Sequence, residues 1–287
     1  MTTVGEALRT AAGRLAAAGI ESPRLEAEFL LAAVLGEDDR FRLHARPERP
    51  LSPGQSACLD AWVARRAARE PLAYILGRWE FWSRAFEVTP ATLIPRPETE
   101  RLVEAALALR DRGGWTAPRV LDLGTGSGVI AVTLAAEWPD ARVVAVDASP
   151  EALAVARRNA LAHGVAGRVR LVCSDWGSAL APRGWAFDLV AANPPYVAAG
   201  DMAWLPPEVR DHEPRRALHG GPDGLDAVRR ILAEARRLLR PGGRLLCEIG
   251  WDQAPAAAGL ARRQGLDRVR VHRDLAGRDR VLAARRP

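Results

Sequence analysis

Short apolar runs alternate with helical patterns from residue 119 to the C terminus, and this alternation limits the fold more than any other feature. The runs fall at 120–123, 143–147, Val169–Cys173, 187–193 and 245–249. They are apolar almost throughout rather than at every second position, as strands buried on both faces require. Between them, 129–137, 149–163 and 227–239 keep helical periods, the last halted by Pro241-Gly242-Gly243. Two further runs, 269–271 and 281–284, flank a turn at Ala276-Gly277 and read as an antiparallel hairpin. The expected class is α/β: a mostly parallel seven-stranded sheet, helices on both faces and a C-terminal antiparallel hairpin.

The chain of 287 residues exceeds one comfortable core, and its N-terminal part has a different texture. Val4, Leu8, Ala11, Leu15 and Ala18 keep a helical period that Gly19 stops. Ser22-Pro23 opens a second helix with Leu25, Phe29, Leu30 and Val34 apolar, and Ser52-Pro53 opens a third through Leu59, Trp62 and Val63. Trp79, Phe81, Phe86 and Val88 then suit short strands turning at Ser83-Arg84. The expected division is a small N-terminal helical domain over 1–70, a β-hairpin linker over 71–92 and an α/β domain over 93–287.

The formal charge is 41 − 35 = +6, which would ordinarily point toward nucleic acid. Every one of those cations is arginine, however, and alanine and glycine are abundant, as in sequences biased toward GC-rich codons. Charge is therefore a weak guide to partners. Cys58, Cys173 and Cys247 are scattered and match no metal-binding spacing, so no metal is expected and the compartment reads as reducing. The stretch around Glu6 lacks a secretory signal, and no apolar run reaches the roughly 18 residues of a membrane span. A cytoplasmic protein is expected.

Asp122-Leu123-Gly124-Thr125-Gly126-Ser127-Gly128 follows a strand and opens a helix, so backbone and helix N-terminus can approach an anionic ligand closely. Asp147 ends the next strand, where its carboxylate can accept ribose hydroxyls. The dinucleotide pattern G-x-G-x-x-G fails because position 129 is valine, and a Walker loop fails because the chain has no lysine. An acid followed by G-x-G-x-G fits S-adenosyl-L-methionine, whose carboxylate and amino group take the place of a pyrophosphate. Asp122 is expected to face the ammonium and the loop amides the carboxylate. Asp175 can accept from the adenine amino group beside Trp176, whose bland alternative is ordinary core.

Asn193-Pro194-Pro195-Tyr196 ends the fourth strand, on the side of the sheet where ligands bind. The prolines make the turn rigid and leave its carbonyls free. The Asn193 side-chain oxygen and the Pro194 carbonyl can accept both hydrogens of one planar NH2 group, with Tyr196 against its plane. The bland alternative is a proline turn that merely ends a strand.

With these motifs the chain resembles, over its whole length, the peptide chain release factor glutamine methyltransferases, the PrmC/HemK family. More specific matches are Pro71-Leu72-Ala73-Tyr74-Ile75-Leu76-Gly77, Glu80-Phe81-Trp82 and the stretch 93–100 containing Pro95-Arg96-Pro97-Glu98-Thr99-Glu100. Glu213-Pro214 with Ala217-Leu218, Gly220-Gly221-Pro222-Asp223-Gly224-Leu225 and Glu248-Ile249-Gly250 with Gln253 complete the set. The resemblance implies a Rossmann-like class I S-adenosylmethionine-dependent methyltransferase domain. Cofactor contacts are implied at Gly124 to Gly128, Asp147, Trp176 and Asn193, and substrate contacts at Asn193, Pro194, Pro195 and Tyr196. It also implies methylation of the glutamine amide in the Gly-Gly-Gln loop of release factors, modulating translation termination, with S-adenosyl-L-homocysteine as product. The N-terminal helices would dock that substrate.

Catalytic work then falls on Asn193, Pro194 and Tyr196, through orientation rather than a strong base. None of the five histidines is assigned a role; His163 reads as a helix end, and His219 stays open. Rival readings are methylation of a large-subunit ribosomal protein, methylation of adenine N6 or guanine N2 in nucleic acid, and a non-catalytic ribosome- or RNA-binding protein. No separate target-recognition domain is visible for the nucleic-acid readings, so a monomer acting on protein is expected.

Overall fold

A computed structural model describes residues 2–113, 115–181 and 186–287. The chain divides into two units, Met1–Gly77 with Pro206–His212, and Arg78–Leu205 with Glu213–Pro287.

The first unit contains α1 (Val4–Ala17), α2 (Pro23–Leu35), α3 (Arg42–Ala45), α4 (Pro53–Ala67) and α5 (Leu72–Leu76). At the start of α1 the Glu6 N–H donates to the Thr3 hydroxyl, and the Thr3 N–H donates to the Glu6 carboxylate. Ser52 and Gln55 repeat this reciprocal cap on α4, with Pro53 in the first turn. Leu8, Ala11, Leu15, Leu30, Leu31 and Val63 are buried on α1, α2 and α4, which pack on one another, each buried leucine contributing about 1.5–3 kcal/mol. Leu25 and Phe29, apolar on the expected second helix, stay partly exposed, and the Arg40 guanidinium lies 5.1 Å from the Phe29 ring. Helices α3 and α5 were not anticipated; α5 occupies the start of the 71–92 stretch.

This unit is closed by a carboxylate from far along the chain. Arg66 is buried and donates to Glu26 at 2.5 Å and to Glu208 at 3.1 Å, while Arg69 donates to Glu208 at 3.0 Å. Glu208 lies in the helical segment Pro207–His212.

The second unit starts with a hairpin, β1 (Arg78–Phe81) and β2 (Arg84–Glu87). Phe81 pairs with Arg84, so Trp82 and Ser83 form the two-residue turn, one residue earlier than Ser83-Arg84. Both take positive φ, 53° and 54°, because the turn that matches strand twist demands it. Then follow α6 (Glu100–Gly113), β3 (Arg119–Leu123), α7 (Val129–Glu137), β4 (Arg142–Asp147), α8 (Pro150–Ala162), β5 (Val169–Cys173) and β6 (Phe187–Ala192). After α9, the segment Pro207–His212 above, come α10 (Asp226–Leu238), β7 (Leu239–Glu248), α11 (Ala254–Arg263), β8 (Asp267–Arg273) and β9 (Asp279–Arg285).

The seven strands are ordered β5-β4-β3-β6-β7-β9-β8, with β9 antiparallel to both β7 and β8. Chain order reverses between β3 and β6, the place where an open sheet leaves a crevice. Leu121 and Leu123 face one core with Ile231 and Leu232 of α10. Val120 faces the other with α6, α7, Phe81 and Phe86.

Two differences from the sequence reading concern residues 239–263. Pro241-Gly242-Gly243 does not separate helix from strand; it lies inside β7 as a bulge, between the pairs Phe187–Leu239 and Leu189–Arg244. A Cβ at Gly243 would approach the Phe187 carbonyl to 3.0 Å, so glycine lets the bulge fold against β6. Helix α11 was not anticipated because alanines, not large apolar residues, form its buried stripe: Ala254, Ala257, Ala258 and Ala261.

Candidate active site

Leu123 of β3 lies opposite Ala192 of β6, so Gly124 and Asn193 emerge side by side at the strand ends. Asp147 ends β4, the other neighbour of β3. A cavity of about 200 Å³ opens at these ends. Gly124, Thr125, Gly126, Ser127, Asp147, Asp175, Trp176, Asn193 and Pro195 line it; Asp122, Gly128, Pro194 and Tyr196 do not.

Asp122 faces the core rather than the cavity, because side chains alternate along β3 and it shares a face with Val120. It is fully buried. Its Oδ2 accepts from the Thr125 hydroxyl at 2.6 Å and the Ala131 N–H at 3.2 Å, clamping the loop to the start of α7. Its Oδ1 has no partner among the described residues. Burial pushes this carboxyl up to about 7, against the pull of those hydrogen bonds.

The loop amides also differ from expectation. The Gly124 and Thr125 N–H groups donate to the Val146 carbonyl, Gly126 to Asp147 Oδ2, and Gly128 to the Thr125 carbonyl. The loop is locked by its own amides. An anion would instead meet the first turn of α7, where Val129 and Ile130 line the cavity and N–H groups lack carbonyl partners within the helix. Gly128 acts beneath: a Cβ there would sit 3.1 Å from Ala156 of α8, so only glycine lets the helices pack.

Asp147 accepts from the Gly126 and Ser149 N–H groups, each at 2.9 Å, which aims its carboxylate along the cavity wall. The Trp176 ring lies 3.5 Å from where a Gly124 Cβ would be. Asp175 is exposed, and its Oδ2 accepts from Arg230 at 2.7 Å. Asn193 Nδ2 donates to the Thr99 hydroxyl at 3.0 Å, and that hydroxyl donates to Glu248 Oε2 at 2.7 Å. Glu248 is fully buried, which pushes its carboxyl up to about 7, opposed by the Thr99 hydrogen bond and Arg280. Tyr196, largely buried near Glu248, is pushed up to about 12.

The strings that the sequence offered without roles converge on this site. Glu213 accepts from Arg96 at 2.5 Å and from the Ile94 N–H at 3.2 Å, tying 93–100 to 213–217. Thr92, Leu93, Pro95, Thr99, Pro214, Arg216 and Ala217 thereby join the cavity wall. Gln253 donates to the Tyr196 carbonyl at 3.0 Å and the Gly224 carbonyl at 3.2 Å, and accepts from the Gly250 N–H at 2.9 Å. The Val197 N–H donates to the Leu218 carbonyl and the Gly220 N–H to the Val197 carbonyl, so the exit of the Asn-Pro-Pro-Tyr turn is fixed. His163 caps α8 and bonds the Ala85 carbonyl at 2.9 Å, a structural place. His219 does not line the cavity.

An aromatic face, an acid at the end of β4 and a helix N-terminus share one cavity, and together they fit adenine, a ribose diol and a carboxylate. With the seven-stranded sheet, this defines a Rossmann-like methyltransferase that uses S-adenosylmethionine. Residues 6–77 match the PrmC N-terminal domain, and residues 101–204 the methyltransferase small domain. The release factor glutamine methyltransferase of Cereibacter sphaeroides is 53% identical over 98% of this chain and 98% of its own. Its namesake in Geobacter sulfurreducens is 47% identical over 99% and 96%. The chain belongs to the release factor glutamine methyltransferase family. The fold recurs in a Pyrococcus furiosus methyltransferase, with TM-score 0.52 and 17% identity over 79% of this chain and 96% of that one. It recurs also in the T. thermophilus 16S rRNA N2 G1207 methyltransferase in complex with AdoMet and guanosine, with TM-score 0.53 and 20% identity over 73% and 50%.

Proposed function

We propose that this chain methylates the side-chain amide nitrogen of the glutamine in the Gly-Gly-Gln motif of peptide chain release factors and thereby modulates translation termination. The observation that carries the reading is that Asn193 and Pro195 share one cavity with Gly124, Asp147 and Trp176. A group held at the Asn-Pro-Pro-Tyr turn therefore sits beside whatever the glycine loop holds.

S-adenosyl-L-methionine supplies an electrophilic methyl on sulfur and leaves as S-adenosyl-L-homocysteine. Asp147 holds the ribose, Asp175 and Trp176 flank the adenine, and the loop from Gly124 to Ser127 lies along the methionine part. Asp122 and Gly128 serve from beneath by setting the loop and the packing of α7. Asn193 Oδ1 is the acceptor the cavity presents to the glutamine amide, with Pro195 beside it. The Pro194 carbonyl and the Tyr196 ring, outside the cavity wall, complete the set for the second N–H and the amide plane where the substrate loop enters. An amide nitrogen is a poor nucleophile because its lone pair is delocalised. Orientation is the main catalytic term, worth roughly 7–11 kcal/mol where alignment is good. The two acceptors also favour positive charge developing on nitrogen. No side-chain base is needed, since the N-methylated amide cation formed by the transfer is strongly acidic and loses one proton to solvent to give the neutral product.

In this reading the helices over 1–70 dock the release factor, 71–92 link, and 93–287 catalyse. The enzyme acts in the cytoplasm as a monomer, without a nucleic-acid partner; among the described residues no helix is long and apolar enough to cross a membrane. Mass spectrometry with release factor, ribosomal protein and naked DNA as competing acceptors tests the substrate. One added methyl on the Gly-Gly-Gln glutamine is expected, and preferential labelling of another acceptor overturns the assignment. Asn193→Ala should lower turnover at least about 100-fold with cofactor affinity nearly unchanged; near-normal turnover removes Asn193 from the chemistry.

A further inference from the structure

Asn193, Thr99 and Glu248 come from three separate segments and form one hydrogen-bonded line. Asn193 follows β6, Glu248 ends the neighbouring β7, and Thr99 closes the 3-10 turn Pro97–Thr99. The line has a direction. Once ionised, as it is above about pH 7, the Glu248 carboxylate can only accept, so the single hydroxyl proton of Thr99 goes to Glu248 Oε2 at 2.7 Å. The hydroxyl then offers Asn193 nothing but a lone pair, and Asn193 Nδ2 donates to it at 3.0 Å. An asparagine amide has two nearly isosteric orientations, and its network decides between them. Here Nδ2 must face Thr99, which turns Oδ1 away from it; among the described residues no protein group donates to that oxygen. We propose that Glu248, acting through Thr99, is a positioning residue that locks the Asn193 amide with its oxygen toward the methyl acceptor. The inference deepens the acceptor role proposed above for Asn193 and rests on it.

Glu248 is otherwise an expensive side chain to bury. It has no exposure, and its Oε1 lacks a hydrogen bond among the described residues. Arg280 is buried close by, but it donates to the Ile249 carbonyl and Asp274, not to Glu248, and its own Nε lacks a partner among the described residues. An apolar residue would fill this position without removing a charge from water. Besides its pull on the Tyr196 hydroxyl, the carboxylate supplies the orientation of Asn193, which an apolar residue would not. Without it the Thr99 hydroxyl is free to donate to Asn193 Oδ1, the amide turns, and Nδ2 would confront the N–H bonds of the glutamine amide.

The test uses the full-length enzyme with release factor and S-adenosyl-L-methionine. Glu248→Met and Thr99→Val are each expected to lower kcat about 100-fold, with both KM values and cofactor affinity within about threefold. The double variant should be no worse than the poorer single one, because both interrupt one line. Glu248→Gln and Thr99→Ser keep an acceptor and a hydroxyl, and each should recover most of the lost kcat. A merely structural Glu248 predicts the opposite pattern: a lowered melting temperature in Glu248→Met, parallel losses in kcat and cofactor binding, and additive effects in the double variant. That pattern overturns the proposal, as do wild-type rates in folded Glu248→Met or Thr99→Val. Should Thr99→Val fail to fold, Glu248→Met against Glu248→Gln decides alone. Asn193→Ala separates the two ideas: if it is inactive while the Thr99 and Glu248 variants turn over normally, Asn193 keeps its role and the line to Glu248 loses its own.

Discussion

Asp122 carries a carboxyl group into a fully buried place, with donors among the described residues on one oxygen only. Its pKa near 7 in the folded chain, against the ordinary 3.8, makes it a pH-dependent liability. The unfolded chain releases this proton first as pH rises. Stability from this group is therefore intact below pH 3.8 and is lost progressively as pH rises through 7, by about 2–4 kcal/mol in all. Asp122→Asn keeps an acceptor for Thr125 and Ala131 and cannot ionise. Measured without cofactor by denaturant unfolding, it should gain about 1–3 kcal/mol at pH 8, and the gain should vanish near pH 4. An equal gain at both pH values would show that shape, not charge, is responsible. The sequence marks Asp122 as the acid before a glycine loop but cannot show which way a strand side chain points. Its assignment to the cofactor ammonium fails for that reason alone.

At the scale of elements, the parallel strands were legible because burial on both faces demands unbroken apolar runs, as in β4 and β6. The part of the cavity wall at the strand ends was legible too, since the glycine loop, Asp147 and Asn193 sit at the ends of such runs. The stretch from 196 to 225 was not, because its shape depends on bonds between distant residues: Gln253 on the Tyr196 carbonyl, Glu213 on Arg96. Its short helices have no apolar periodicity of their own. Gly224 shows how tightly this stretch holds the site. It has φ of 73°, and a Cβ would lie 2.4 Å from the Tyr196 carbonyl and 2.5 Å from Gln253 Nε2. Gly224→Ala must therefore shift the turn that carries Asn193, while the loop and Asp147 lie on other strands. The expected outcome is a kcat reduced about 100-fold or more with cofactor affinity within about threefold, read by turnover and cofactor titration. Weaker cofactor binding in step with turnover would mean that the two halves of the cavity are not separately supported.

Considered as a whole molecule, the chain places opposite pH dependences in its two units. The sheet unit carries Asp122 and Glu248, both raised by burial, and the contribution of these two groups falls as pH rises. The helical unit depends on Glu208, whose carboxyl is raised by burial but held below the usual range by its own backbone N–H and by Arg69 and Arg66. Its contribution is therefore present above pH 4.5 and lost as pH falls through the depressed value. Arg66 makes this contribution matter, because its side chain is only 7% exposed and a neutralised partner leaves a buried charge underpaired. Glu26 still serves Arg66 when Glu208 is gone, so Glu208→Gln should cost about 1–3 kcal/mol at pH 7 rather than the 3–5 kcal/mol of a wholly orphaned ion. In acid below the depressed value, where Glu208 in the native chain is itself protonated, the variant and the native chain should unfold alike. Thermal unfolding of Glu208→Gln and Asp122→Asn across pH reads the two units against each other, one difference closing in acid from below and the other from above. A Glu208→Gln penalty that persists unchanged down to the acid unfolding of the native chain would assign the effect to packing of Pro207–His212 and remove the ion pair from the account.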